Sequence, residues 1–284
     1  MARVLMILVC VLALPAVALG ANGTESRSGD GYFPSDYREI ETDPQAGEDI
    51  RKYAPVDSPG PHGNFGAQPV HDNQRFATFR ADRFEHQWRD DNEEILLWDV
   101  SAWVGNDFNK LSAESEGEFS LDEDEVEEAG AELFYTRTLS TFWDVQAGLR
   151  HDFEPDPSRS FFALGLQGLA PLWLEMDLKA YVSEDGDVSA AVEAEYELFI
   201  TQRLQLSPRL EAGFSAQDVP EYETWQGMTD LILGARLLYQ IRRKFTPYIG
   251  VTWSRKIGET GHNVDKEGGD VESAALVAGL RFWF

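Results

Sequence analysis

Six carboxylates in the second half of the chain stand at positions of one parity. Glu175 and Asp177 form one pair, Glu193, Glu195 and Glu197 a run, and Glu211 follows. Two-residue spacing places side chains on one face of a strand. On neighbouring strands these groups would line a common wall. Like charges there repel unless they are hydrated, paired or met by cations, and Lys179, Arg209 and Arg236 are candidate partners. Two chemistries fit the pattern. One is a cation-selective lumen; the other is a salt-bridge ladder filling a narrow interior. Carboxylates are hard donors and do not by themselves select a soft metal. Imidazoles are the other metal-binding groups. His71 beside Asp72 in "VHDNQRF", His86 in "DRFEHQW" and His151 in "LRHDF" are candidate ligands. The plainer reading of His71 is a solvated loop residue and of His151 an interfacial one, and the residues favour these, because an isolated donor does not make a site. Phe84 and Trp88 set the register that would turn His86 outward. The acidic run "LDEDEVEEAG" (121–130) reads as a plain solvated loop; the functional alternative is a field that draws cations.

The elements that must position these groups are strands. In "LWLEMDLKAYVS", Leu172, Leu174, Met176, Leu178, Ala180 and Val182 share one face. Trp173, Glu175, Asp177, Lys179 and Tyr181 share the other. The same alternation recurs in "DVSAAVEAEYELFI", "RLQLSPRLEAGFS", "FWDVQAGLRHDF", "FTPYIGVTWS" and the final "LVAGLRFWF". Ala and Glu favour helix, but strict period-two alternation over so many residues favours strand. Twelve segments are expected, near 78–89, 94–105, 108–119, 128–138, 141–152, 160–169, 171–183, 187–200, 203–216, 228–241, 245–256 and 272–284. Each has about the length that crosses a bilayer at a tilt.

The expected fold is all-β: a transmembrane antiparallel β-barrel of about 12 strands. Alternation alone does not say which face is wet. Two features favour apolar-outward. The charged faces carry both signs together with small residues, as a wet lumen would. Aromatics such as Trp88, Trp98, Trp103, Trp143, Phe161 and Trp253 gather near segment ends, as in interfacial girdles.

The organisation around the barrel follows from composition. "MARVLMILVC VLALPAVALG" reads as a secretory signal peptide (1–20): Arg3, an apolar run, then small residues. The single cysteine, Cys10, lies inside it, so the exported protein would have no disulfide and no thiolate ligand. Residues 21–75 are rich in Gly, Pro, Ser and Asp and read as a disordered arm, leaving 76–284 for the barrel. Fifty Asp plus Glu stand against 24 Lys plus Arg, a formal net charge of -26, which argues against nucleic acid as a partner. No motif such as a G-x-S-x-G elbow supports a lipid enzyme, and no catalytic activity is expected.

Several stretches resemble the copper resistance protein B family of bacterial outer-membrane proteins. They include "FWDVQAGLRHDF", "ITQRLQLSPRLE", "FTPYIGVTWSRKIG" and "VAGLRFWF", and they run in order through most of residues 76–284. The terminal Phe284 also resembles the assembly signal of outer-membrane barrels. The resemblance implies a barrel in the bacterial cell outer membrane that binds copper, or helps to export or sequester its excess. It implies copper as the ion, outer-membrane lipid as surroundings and periplasmic copper-handling proteins as partners. Family members often carry a Met- and His-rich N-terminal tract. Here residues 22–75 hold His62 and His71 and no Met. Beyond the signal segment the only thioethers are Met176 and Met228, which join the histidines as candidate copper ligands. A narrow passive or structural barrel without a copper site is the alternative.

Overall fold

In the computed structural model, residues 75–284 are described, Asp91 excepted. The signal-peptide segment, the arm and His71 lie outside them. Thirteen strands form a single antiparallel sheet. They are β1 (Phe76–Arg89), β2 (Glu94–Gly105), β3 (Asn109–Ser120), β4 (Glu125–Ser140), β5 (Trp143–Glu154), β6 (Arg159–Ala170) and β7 (Leu174–Ser183). Then come β8 (Val188–Tyr196), β9 (Leu198–Phe199), β10 (Leu204–Ser215), β11 (Gly227–Tyr239), β12 (Phe245–Lys256) and β13 (Glu272–Trp283). β8 and β9 both pair with β10 and together make one stave, so the ring has twelve staves. Each stave pairs with its sequence neighbour, and β13 returns to β1, with Trp88 opposite Leu276 and Arg80 opposite Trp283. Closure leaves no open edge, the condition for holding strands in lipid.

The last residues complete that closure. Phe284 N–H donates to Phe79 O at 2.9 Å, and Phe79 N–H donates to Phe284 O at 3.1 Å. The rings of Phe79 and Phe282 lie 6.2 Å apart, and those of Phe282 and Phe284 6.0 Å apart. The terminal aromatics therefore touch the first strand and one another.

The wall faces are decided by which side of each strand is charged. On β12, Tyr248 is buried and holds a lumen carboxylate, while Ile249 and Val251 are exposed. On β5, Gln146 is buried, while Val145 and Leu149 are exposed. Leu164, Leu210, Leu233 and Leu276 continue the exposed apolar band. A barrel with charges inside and leucines outside is built for lipid.

Three segments differ from the sequence expectation. Leu172 and Trp173 are not on strand faces: Pro171–Trp173 forms a 3-10 turn, and both residues take positive φ (70° and 65°) before β7 starts at Leu174. Proline at the first turn position interrupts the pleat there. The stretch 187–200 is not continuous, because the ladder breaks at Glu197 between β8 and β9. The acidic run 121–130 is only partly a loop, since Glu125–Gly130 belong to β4. One helix, α1 (Gly258–Glu267), lies between β12 and β13 and was not expected. Its polar sequence has no apolar stripe to betray it. Gly268 ends it in the left-handed region at φ 83°, its N–H donating to Asp265 O and Val264 O, as a C-terminal glycine does.

The two ends of the ring are unlike. Both β1 and β13 have their outer termini at the end closed by short turns: 106–108, 141–142, 171–173, 200–203 and 240–244. The opposite end carries longer connections, including 216–226 and the α1 segment 257–271. In barrels of this kind the short turns are periplasmic and the long loops extracellular.

Candidate functional site

The lumen is filled by charged side chains that bond across the ring. Arg83 on β1 is the centre of one cluster. Its Nε donates to Asp99 Oδ2 on β2 at 3.1 Å and its Nη1 to Glu211 Oε1 on β10 at 3.0 Å. Its Nη2 donates to Glu116 on β3. Its side chain is only 4% exposed. Arg209 on β10 reaches Glu193 and Glu211, each at 2.7 Å, and lies 3.8 Å from Asp99 and from Glu195. Arg281 on β13 donates to Glu195 Oε1 at 2.8 Å and to Glu197 Oε1 at 3.4 Å. Ser207 Oγ also donates to Glu195. β1 and β10, like β13 and β8, are not sheet neighbours, so these bonds run through the lumen.

A second cluster surrounds Lys179 on β7. Its ammonium donates to Glu114 on β3 at 2.8 Å and to Glu132 on β4 at 2.6 Å, and lies 3.8 Å from Asp177. Tyr181 Oη donates to Glu132 at 2.8 Å, and Arg150 stacks over the Tyr181 ring at 5.0 Å. A third cluster is the most enclosed. Arg236 on β11 donates to both oxygens of Glu85 on β1, at 2.8 and 3.0 Å. Tyr248 Oη and Gln87 Nε2 donate to the same carboxylate at 2.9 and 2.8 Å. Gly279 makes room for it. A Cβ there would lie 2.6 Å from the Tyr248 ring and 2.7 Å from Glu85 Cβ.

The carboxylates expected from the sequence thus fall on the lumen wall. Asp177, Glu193, Glu195, Glu197 and Glu211 each meet a cation. Glu175 sits opposite Glu195 on the same face, with no ion pair among the described residues. Of the expected cations, Lys179 and Arg209 bind this row, whereas Arg236 is committed to Glu85. The sequence reading missed Arg83, because the bulge between Ala81 and Arg83 shifts the register of β1. Two of the aromatics expected in interfacial girdles lie elsewhere. Phe161 is not in a girdle: it faces inward, edge-on to Tyr181 at 6.0 Å and beneath Arg150 and Arg159. Trp98 lies in mid-strand, its Nε1 donating to Ser115 Oγ at 3.2 Å.

Among the described residues, the candidates His86, His151, Met176 and Met228 lie on four different strands and are not brought together. His86 lies on β1 between the lumen residues Glu85 and Gln87, so it faces outward, with its ring 4.4 Å from Trp88 and its Nε2 3.1 Å from Glu94. His151 lies between Arg150 and Asp152 on β5, bonded to Ser160 at 3.0 Å and edge-on to Phe153 at 4.6 Å. Met176 is on the outward parity of β7, opposite Ala194, and Met228 is at the long-loop end of β11, opposite Phe214. Among the described residues no three His, Cys, Asp or Glu side chains form a group that could hold a metal ion. Most of the lumen carboxylates are engaged by guanidinium and ammonium groups, and oxygen donors do not fit a soft copper(I) site.

The long-loop mouth is acidic throughout. Each of its six connections carries Asp or Glu, and Lys266 is the only Lys or Arg in them. Across the mouth, Arg159 of β6 donates to Asp187 and Ser183 and stacks on Tyr222 at 4.6 Å, which fastens the 216–226 loop. Thr260 of α1 accepts from Trp225 N–H at 3.0 Å.

Residues 75–284 match the family model described as copper resistance protein B precursor. The chain belongs to the copper resistance protein B family. It is 37% identical over 222 residues to copper resistance protein B of Escherichia coli, covering 78% of this chain and 74% of that protein. It is 38% identical over 216 residues to the copper resistance protein B homolog of Pseudomonas syringae pv. tomato, covering 76% and 72%. Among solved structures it is similar to the NanC porin, at 13% identity and a TM-score of 0.49, over 72% of this chain and 98% of that one. It is also similar to outer membrane phospholipase A from Escherichia coli, at 13% identity and a TM-score of 0.45, over 74% and 94%. The barrel assignment itself rests on the closed hydrogen-bonded ring. Membership in this family gives the chain a role in copper resistance.

Proposed function

We propose that this family member acts in copper resistance at the outer membrane by gathering copper ions, chiefly copper(II), at its acidic long-loop mouth. The observation that supports this most is the distribution of charge at that mouth, where six acidic connections surround a lumen lined with further carboxylates. Such a field raises the local concentration of cations. Oxygen donors suit copper(II) better than copper(I). Onward handling of the ion falls to periplasmic copper-handling proteins, and the barrel itself has no catalytic part.

A test is copper tolerance in a deletion strain. Complementation with D122N/E123Q/D124N/E125Q should restore less tolerance than the unaltered chain at equal outer-membrane abundance. Equal restoration would contradict the reading. Deleting residues 22–70 should cost little tolerance, since that arm has few soft donors; a large loss would transfer the copper-handling role to the arm.

A second reading, a narrow structural or passive barrel, draws support from the cross-lumen pairing of Arg83, Lys179 and Arg281. Planar-bilayer recording separates the two. Steady cation-selective conductance without any copper-tolerance defect in the acidic variant would favour the passive barrel.

A further inference from the structure

The short-turn end has the opposite charge. Asp107 is the only acidic residue in its five turns, whereas Arg203, Arg242, Arg243 and Lys244 are all present there. These cations are held on two adjoining turns. Gln240 N–H donates to Arg203 O at 2.8 Å, joining turn 240–244 to turn 200–203. Arg242 closes a tight bridge with Phe245. Trp283 Nε1 donates to Arg243 O at 2.8 Å, and the Lys244 ammonium lies 4.9 Å over the Trp283 ring. All four side chains are exposed. None is in an ion pair among the described residues, although Arg83, Arg209, Arg236 and Arg281 in the lumen are all paired. In a chain with 26 excess negative charges, four adjacent unpaired cations are a departure that packing does not explain.

Their surroundings indicate what they meet. Ile200, Ile241, Phe199, Phe245 and Trp283 are exposed beside them. Apolar and aromatic side chains next to cations at the end of a lipid-facing wall are an interfacial arrangement. A soluble acidic partner would account for the charges but not for isoleucines at the turn tips.

We propose that Arg203, Arg242, Arg243 and Lys244 bind the phosphate headgroup of an anionic phospholipid in the leaflet at the short-turn end. The guanidinium forks take phosphate oxygens. The acyl chains lie along the outward residues of β10 to β12, including Tyr239 and Ile249. This inference rests on the membrane-facing wall and is independent of copper.

The test is lipid retention by the full chain, purified in detergent from mixtures of phosphatidylglycerol and phosphatidylcholine and read by mass spectrometry. The unaltered protein should retain phosphatidylglycerol preferentially. A cation near an anionic surface is worth about fivefold, so R203Q/R242Q/R243Q/K244Q should lose at least tenfold of that preference. R255Q/K266Q, at the opposite end, should keep it. If the fourfold variant fails to show the heat-modifiable migration of a folded barrel, R242Q/R243Q is read against the same criterion. Equal retention of the two lipids by the unaltered protein would overturn the proposal, as would undiminished preference in the variants. Loss of the preference to millimolar inorganic phosphate would also overturn it, by identifying a free-phosphate site. So would equal lipid retention combined with variant-sensitive capture of an acidic soluble protein.

Discussion

Glu85 has no exposed side-chain surface, and Arg236 beside it is 5% exposed. At such burial the pair is held by geometry and by its further donors, Tyr248 and Gln87. Removing one partner of a buried pair leaves an uncompensated charge, which costs about 3–5 kcal/mol. Glu85→Gln should therefore lower the stability of the folded barrel by about that amount. The double substitution Glu85→Gln/Arg236→Met should recover most of it, because no charge is then left alone. Denaturant titration followed by the gel shift of the folded barrel measures both. A double variant no more stable than the single one would show that the pair is not a unit of stability. The lumen carboxylates were only half legible in the sequence. Their alternation placed them on one wall. Lys179 and Arg209 were near enough in sequence to be expected as partners, but Arg83 and Arg281 reach the row from 128 and 86 residues away, and no local pattern records such a bond.

At the scale of the strand, the parity of each segment was the readable quantity. Val145, Leu149, Ile249 and Val251 alternate with polar or small residues in the sequence and do so on the wall. What alternation left open was the direction of the wet face, which the cross-lumen ion pairs decide. Substitution on the outer wall gives a direct check. Leu164 lies near the middle of β6 and is exposed. An arginine at the lipid midplane of a barrel costs about 2–4 kcal/mol, so Leu164→Arg should destabilise the protein by that amount in a bilayer. A neutral effect in lipid vesicles would mean that this wall does not face acyl chains. Irregular features were the least visible. The Pro171–Trp173 turn, the break at Glu197 and the bulge near Arg83 each disturb the two-residue period. α1 has no period to find, and only Gly268 with Lys266 before it marks its end.

At the scale of the whole molecule, the barrel has an acidic mouth, a braced lumen and a basic short-turn end. The net charge was plain from composition, but its separation between ends appeared only once the ring fixed which turns lie together. In the function we propose, that separation is the physical device behind the family's role in copper resistance: a field that gathers cations on one side. The soft-ligand chemistry expected for copper(I) is not assembled by His86, His151, Met176 and Met228. The most direct measurement is therefore a titration of the detergent-folded protein with copper(II) and copper(I) separately, at low and high salt. The expected result is copper(II) binding that weakens as salt rises and falls in D122N/E123Q/D124N/E125Q, with copper(I) bound no better than by an unrelated acidic barrel. Tight, salt-insensitive, stoichiometric copper(I) binding lost on replacing His86, His151, Met176 or Met228 would contradict the account and assign the chemistry to those side chains.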